Sequence, residues 1–161
     1  MKKVSKITLV GIFVAFSFVL SFIKLPSPFG SVALDSFPGF FLATFSPLLG
    51  GVVALLGHFF TSWNSGFPFG FYHIFIAIEM LLITWIFGNL YLKNKIIAII
   101  IGVFLNGIIS PLTVIPLIGL KAVISFIPFL IFASFINIIF AFITNLGVQK
   151  YPKVGELYEK N

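Results

Sequence analysis

Long apolar runs, separated by short clusters of Pro, Gly, Ser and Asn, make up most of this chain. A helix needs about 20 predominantly apolar residues to cross a bilayer, and most of the runs approach that length. Turn signals, namely Ser46-Pro47 with Gly50-Gly51 and then Asn64-Ser65-Gly66-Phe67-Pro68, mark where runs end. The pattern predicts six transmembrane helices, at about 7–23, 37–48, 50–62, 70–91, 96–112 and 121–148. The second and third are short, and Pro128 predicts a kink in the last.

Composition supports an all-α integral membrane protein. Of the 161 residues, 60% are apolar and 9% are charged, whereas soluble domains are roughly 25% charged. Mean hydropathy is +1.18, and the length leaves room for a single six-helix membrane domain over 1–161 without a separate catalytic domain. The net charge of +6 comes from lysines that lie between the apolar runs, which indicates membrane topology and not nucleic-acid binding. The absence of cysteine excludes disulfides and thiol catalysis.

The first run resembles a secretory signal, because lysines precede it and Ser31-Val32-Ala33 has the form of a cleavage site. Its uncharged stretch, 7–23, nevertheless exceeds the roughly 7 to 15 residues of a signal core. The chain that follows is equally hydrophobic. We therefore expect this run to be retained as the first membrane helix.

The lysines also determine the expected orientation. In a five-helix alternative, with 37–62 as one broken helix, four lysines lie inside and six outside. Six helices with a cytoplasmic N-terminus leave only Lys24 and Lys121 outside. The inner set is then Lys2, Lys3, Lys6, Lys93, Lys95, Lys150, Lys153 and Lys160. The positive-inside rule thus favours six helices with both termini cytoplasmic.

The outer connections, 24–36, 63–70 and 112–121, are the longer and more polar ones, so we expect function on that side.

A few polar residues interrupt the apolar segments, where an ionised group costs about 2.5–3.5 kcal/mol or more. They come from several helices and favour the outer half, which predicts an outward-facing pocket. The candidates are Asp35, His58, His73, Glu79, Asn106 and Asn137. Trp63 and Tyr72 lie near the outer interface, where they serve as belt anchors or as a platform for a ligand ring.

Structural explanations stand beside each of these assignments. Either histidine can be a core residue bonded to a backbone carbonyl, and Glu79 can be a protonated carboxyl or the partner of His58. Asn106, which precedes Gly107, can simply end a helix. Asn137 shares a helix face with Ser134, Ala141 and Asn145, a stripe that is more typical of helix packing than of a binding track.

Enzymatic interpretations find little support. The chain has no His-Glu-x-x-His, no Gly-x-Ser-x-Gly and no P-loop, and His73 and Glu79 are about 240° apart around their helix. We therefore predict no catalytic residues, no metal and no cofactor, and any uphill transport must draw its energy from a partner. On the first helix, Thr8, Gly11 and Ala15 are small residues at spacings that let another helix approach closely.

The connections carry recognisable motifs. The chain has Leu34-Asp35-Ser36-Phe37-Pro38-Gly39-Phe40, Gly57-His58, Gly66-Phe67-Pro68-Phe69-Gly70 with His73, and Asn106-Gly107 with Pro111 and Pro116. Together with six helices and a small-residue motif on the first, these segments resemble the S components, the substrate-binding subunits of energy-coupling factor vitamin transporters. The resemblance is greatest to the branch assigned to α-ribazole, a cobalamin precursor.

The resemblance implies a multi-pass protein of a bacterial cell membrane that captures a scarce vitamin or precursor from outside. It implies docking through helix one on a transmembrane T component driven by two cytoplasmic ATPases. Gly11-x-x-x-Ala15 is similar to the family's Ala-x-x-x-Ala contact motif. Family pockets use the first outer loop and helices four to six, which implies binding roles for Asp35, His73, Glu79, Asn106 and Asn137, while His58 belongs to the shared Gly-His pair.

Ligand identity stays open at the level of chemistry. A benzimidazole ring can stack on Trp63 or Tyr72, and Asp35 or an asparagine can bond ribose hydroxyls. Thiamine, pantothenate and queuosine precursors also combine a ring or chain with polar groups, so only the motifs favour α-ribazole. Two other classes remain: a structural or interaction membrane protein without a ligand, and an intramembrane enzyme, which requires His58, His73 and Glu79 to converge.

Overall fold

The computed structural model of the protein describes residues 5–27 and 30–150, which are mostly helical. The helices are α1 (Lys6–Leu20), α2 (Phe37–Ala43), α3 (Pro47–Asn64), α4 (Tyr72–Tyr91), α5 (Lys95–Phe104), α6 (Ser110–Leu112), α7 (Ile115–Ile118) and α8 (Leu120–Gln149). A π-helical segment, Leu105–Ile109, joins α5 to α6, and two strands, β1 (Lys24–Ser27) and β2 (Gly30–Ala33), lie between α1 and α2.

In the described part of the chain, three helical stretches are long and apolar enough to cross a membrane. They are Tyr72–Tyr91, the continuous run Lys95–Leu112, and Leu120–Gln149, which contains Pro128. At 1.5 Å per residue, 20 residues span about 30 Å, the thickness of the hydrocarbon core. Large apolar side chains such as Ile96 and Phe132 point outward from these helices, as side chains facing lipid do.

The segment 24–36, expected as an irregular connection, contains an antiparallel hairpin. Lys24 pairs with Ala33 and Leu25 with Val32. The bulk of the protein is helical as predicted, and the hairpin is an addition that the sequence pattern did not indicate. Strands of four residues, one of them containing Pro26, are too short to display a clear alternation of apolar and polar positions.

The prediction that the third helix is short is wrong, because Gly50 and Gly51 lie inside α3 and not in a turn. A Cβ at Gly50 would lie 2.4 Å from the Ala43 nitrogen, and one at Gly51 would lie 2.9 Å from the Leu81 carbonyl oxygen. Both glycines thus permit close contact, with α2 and α4 respectively. Pro47 begins the helix at a position where its missing N–H has no cost. Of the two helices predicted to be short, only α2, with seven residues, is so.

The core forms around α2, which is buried almost completely. Phe40 packs edge to face against Phe87 of α4, with ring centroids 5.1 Å apart. At the end of α2, Thr44 Oγ1 accepts from Asn145 Nδ2 at 2.8 Å, and Asn145 Oδ1 accepts from the Tyr91 hydroxyl at 2.9 Å. This polar network ties α4 and α8 to α2, so the buried asparagine at the end of the α8 stripe serves helix packing.

Candidate ligand-binding site

A cavity of about 190 Å³ lies among the β-hairpin, α3, α4, the π-helical segment and α8. It is far larger than the roughly 10–15 Å³ that one water molecule requires, so it has room for a small organic molecule. Five predicted site residues line it, namely Asp35, His58, His73, Asn106 and Asn137. The fold therefore gathers residues that lie up to about a hundred positions apart in the sequence.

The two histidines form a cluster with Ser62. His58 Nε2 lies 3.1 Å from His73 Nδ1, and Ser62 Oγ lies 3.2 Å and 2.9 Å from the same two atoms. The backbone N–H of Phe69 donates to His73 Nε2 at 3.3 Å, which assigns the proton of a neutral His73 to Nδ1. That proton is shared with Ser62 and His58, while the Ser62 hydroxyl donates to the His58 carbonyl at 2.7 Å.

The tautomer bears on metal binding. A metal on His73 Nδ1 would require a proton on Nε2, which would then face the Phe69 N–H instead of an acceptor. Among the described residues, no three His, Cys, Asp or Glu side chains come together as ligands. The histidine pair is therefore suited to hydrogen bonding in its neutral form.

Asp35 enters the cavity from the segment between β2 and α2, outside the helices. Its Oδ2 accepts from the Thr61 hydroxyl and its Oδ1 accepts from Ser36 at 3.3 Å. Burial raises the pKa of Asp35 to about 6, because the loss of solvent outweighs the opposing effect of the two hydroxyls and of the nearby Lys24. The carboxylate is thus ionised at neutral pH and neutral in mild acid.

Asn106 lies in the π-helical segment, a feature that recurs at functional sites. Its Nδ2 donates to Ser134 Oγ of α8 at 2.9 Å, and its Oδ1 has no hydrogen bond among the described residues. The neighbouring Gly107 permits this contact, because a Cβ there would lie 2.8 Å from the Ile131 Cα. Asn106 therefore keeps an acceptor for a ligand.

Asn137 also lines the cavity, but both ends of its amide bond to protein. Oδ1 accepts from the Phe37 N–H at 2.8 Å, and Nδ2 donates to the Ala133 carbonyl at 2.9 Å. The side chain is 3% exposed. These contacts give Asn137 a structural role at the cavity wall.

Aromatic and aliphatic side chains complete the wall. The Phe69 ring stacks on His73 at 5.5 Å with an interplanar angle of 26°. Met80 of α4 and Val114, which lies between α6 and α7, add apolar surface. Phe67 lies in the same loop as Phe69 with a φ of 49°, a left-handed conformation that is uncommon for a residue other than glycine. An apolar cavity with a few converging polar groups is typical of small-molecule sites.

Two predicted site residues do not line the cavity. Glu79 faces α6, where Oε2 accepts from Ser110 at 2.9 Å and from Thr113 at 3.3 Å. Trp63 is 66% exposed and borders a separate apolar hollow that includes Phe59 and Phe67. Each is next in sequence to a residue that lines the cavity, but Glu79 points from a different face of α4 and Trp63 from a different face of α3.

The cavity also contains residues that were not predicted from the sequence. Thr61, Ser62 and Ser65 follow His58 by three, four and seven positions, so Thr61 and Ser62 share a face of α3 with His58, and Ser65, directly after the end of α3, continues that face. That helical spacing was the available signal. Ser110 and Ser134 also line the cavity, but as single serines in apolar helices they carried no such signal.

The small-residue motif of α1 lies on the surface of the chain. Gly11 and Ala15 are exposed, and a Cβ at Gly11 would meet no atom within 4 Å. The opposite face of α1 is buried at Val14 and at Ser17, which lies against Gly57 of α3. One face of α1 thus packs in the fold and the other is left open.

Comparison with known proteins finds no matching family model, no matching curated protein and no matching solved structure.

Proposed function

We propose that this protein is the substrate-binding S component of an energy-coupling factor importer, and that it captures a vitamin or vitamin precursor from outside the cell. The observation that carries the proposal is the cavity, in which Asp35, His58, His73 and Asn106 converge from separate elements. Among vitamins and precursors we propose α-ribazole, because the motifs around Asp35, His58 and Asn106 resemble those of the α-ribazole branch. Thiamine, pantothenate and queuosine precursors are the alternatives.

The cavity favours binding over a purely structural role. Polar residues that only join helices pair with one another, as Asn145 does with Tyr91 and Thr44. Asn106 instead keeps its Oδ1 unbonded among the described residues, beside a cavity of about 190 Å³. The enzymatic alternative needs Glu79 beside the two histidines, but Glu79 does not line the cavity and instead accepts from Ser110.

The proposed topology has six membrane helices and both termini in the cytoplasm of a bacterial cell. The connections at the cavity, 24–36 and 63–70, then face outward. Lys93 and Lys95, at the opposite end of α4, then face the cytoplasm. Lys2, Lys3, Lys153 and Lys160, which also support this orientation by their number, lie outside the described residues.

The exposed face of α1 is the proposed contact with the transmembrane T component, which two cytoplasmic ATPases drive. Gly11 and Ala15 are exposed on one face of α1, and small residues at this spacing let a partner helix approach closely. Lipid would cover this face in the free subunit.

Ligand binding tests the proposal directly. The protein is purified in detergent and titrated by calorimetry with α-ribazole, thiamine, pantothenate and a queuosine precursor, with native mass spectrometry to establish stoichiometry. We expect one saturating ligand with submicromolar affinity. Asn106→Ala should weaken it about tenfold, the cost of one or two hydrogen bonds, whereas Asn89→Ala, at an exposed site on α4, should not. Absence of binding to every compound would overturn the proposal.

A further inference from the structure

The hydroxyl groups of the cavity donate mostly to the protein itself. Among the described residues, six hydroxyl side chains line it: Ser36, Thr61, Ser62, Ser65, Ser110 and Ser134. Four of them donate to protein acceptors: Ser36 and Thr61 to Asp35, Ser62 to the His58 carbonyl, and Ser110 to Glu79. A hydroxyl that has used its only hydrogen can offer a ligand lone pairs alone. These four groups therefore present acceptors to the cavity.

The charged groups of the cavity, like its hydroxyls, disfavour an anionic ligand. Asp35 is the carboxylate among the described lining residues, and neither lysine nor arginine lines the cavity there. Lys24 of β1 lies at the rim, where its Nζ donates to Ser65 Oγ at 3.3 Å. Recognition of a phosphate or a carboxylate usually relies on Arg or Lys or on several N–H donors, and these described residues supply no such set.

Glu79 contributes to this pattern without touching the cavity. Its Oε2 accepts the Ser110 hydroxyl at 2.9 Å, and Ser110 is the member of the pair that lines the cavity. As long as Glu79 accepts, the Ser110 hydrogen points away from a ligand. Glu79 is thus a positioning residue that acts through Ser110.

From this arrangement we infer that the site selects ligands that are neutral or positively charged and rich in hydrogen-bond donors, and that it rejects their phosphorylated or carboxylated counterparts. The inference rests on the proposed function. An anionic group would lie near Asp35 and among oxygen lone pairs, with lost hydration and too few donors to replace it. Ligand hydroxyl, amino or ring N–H groups, in contrast, meet acceptors at Asp35, Asn106 and Ser110.

Matched pairs of compounds test the inference on the purified protein. The pairs are α-ribazole with α-ribazole 5′-phosphate, thiamine with thiamine monophosphate, and panthenol with pantothenate, which differ mainly by one anionic group. Dissociation constants are measured by isothermal titration calorimetry at pH 7.5. In whichever pair binds, we expect the member without the anionic group to bind at least about tenfold more tightly.

Variants assign the selectivity to its residues. Asp35→Asn keeps an amide oxygen for Thr61 but removes the charge. It should therefore reduce the ratio of the two dissociation constants within a pair. Glu79→Leu frees the Ser110 hydrogen, so it should also reduce this ratio. In the double variant Ser110→Ala with Glu79→Leu, the ratio should equal that of Ser110→Ala alone. Lys24→Met, at the rim, is the control and should not favour the anionic member.

The outcomes separate this inference from the proposed function. Tighter or equal binding of the phosphorylated or carboxylated member would overturn the inference and leave the proposed function standing. An unchanged ratio in both Asp35→Asn and Glu79→Leu would overturn the assignment of the selectivity to these residues. Failure of both members of every pair to bind would overturn the proposed function and the inference with it.

Discussion

Asn137 Oδ1 accepts a hydrogen bond from the backbone N–H of Phe37 at 2.8 Å, so a side chain of α8 caps the first turn of α2. The residue in the N-cap position of α2, Ser36, makes no side-chain cap bond of its own. The first N–H groups of a helix have no acceptor within the helix, and a buried one needs a partner from elsewhere. One asparagine therefore both borders the cavity and holds the helix at the centre of the core.

Asn137→Ala should lower stability, because the Phe37 N–H loses its acceptor in a buried setting. The loss of a cap costs about 0.5–2 kcal/mol, and a fall in Tm measured by thermal unfolding in detergent reports it. Asn89→Ala is the control: that exposed asparagine bonds to the Trp85 carbonyl of its own helix, and its loss should leave Tm nearly unchanged. Equal Tm values for the two variants would contradict the capping role.

Protonation of Asp35 should stabilise the fold. Its pKa is about 6 in the folded protein against 3.8 for the free side chain, so the folded state binds this proton more tightly. The resulting stabilisation is complete below the unfolded value and is lost as pH rises through about 6.

The difference between wild type and Asp35→Asn isolates this contribution. Thermal unfolding of both proteins between pH 4.5 and 8 should show the variant gaining Tm relative to wild type as pH rises, with a plateau above about pH 7. Parallel profiles for the two proteins would contradict the raised pKa.

If α1 docks on a T component as proposed, Gly11→Leu should impair uptake without impairing ligand binding. The new side chain meets open space in the free subunit, so the fold accepts it, but it separates α1 from a partner helix. We expect uptake by cells with the whole transporter to fall about tenfold or more, since loss of one close helix contact removes on the order of 1–2 kcal/mol. Gly11→Ala is the conservative control and should retain uptake. Full uptake by Gly11→Leu would remove α1 from the docking surface.

Thr84→Val should raise stability. The Thr84 hydroxyl is fully buried in α4 and has no hydrogen-bond partner among the described residues, so its desolvation is uncompensated. Replacing the hydroxyl by a methyl of similar shape should add about 1 kcal/mol and raise Tm.

Thr44→Val is the matched control for this substitution. The Thr44 hydroxyl donates to the Phe41 carbonyl at 2.7 Å and accepts from Asn145 at 2.8 Å, so its removal should destabilise the protein. Destabilisation by both variants would indicate that Thr84 also has a partner.

The candidate site could be predicted in part because polar residues are costly in apolar helices. Asp35, His58, His73 and Asn106 stand out for that reason alone, and all four line the cavity. Glu79 stands out equally, yet it lies one position before the cavity-lining Met80 and faces α6. A one-residue step turns a helical side chain by about 100°, which composition and spacing do not resolve without knowledge of the neighbouring helices.

Ser62 and Ser110 illustrate the opposite error. A serine within an apolar helix carries little signal, since it can satisfy itself on its own backbone. Only the fold reveals that Ser62 bridges the two histidines and that Ser110 lies between Glu79 and the cavity.

Hydropathy along the chain was sufficient to predict a mostly helical protein, including the stretches 70–91, 96–112 and 121–148. Transfer of a segment from water to lipid depends mainly on that segment's own composition and length, and both can be read locally. The tertiary structure alone decided the remainder. From the sequence, Gly50 could belong to a turn or permit close helix packing. In the structure it permits close packing against Ala43. Burial, partners and cavities depend on which helices meet, and that is a property of the assembled chain.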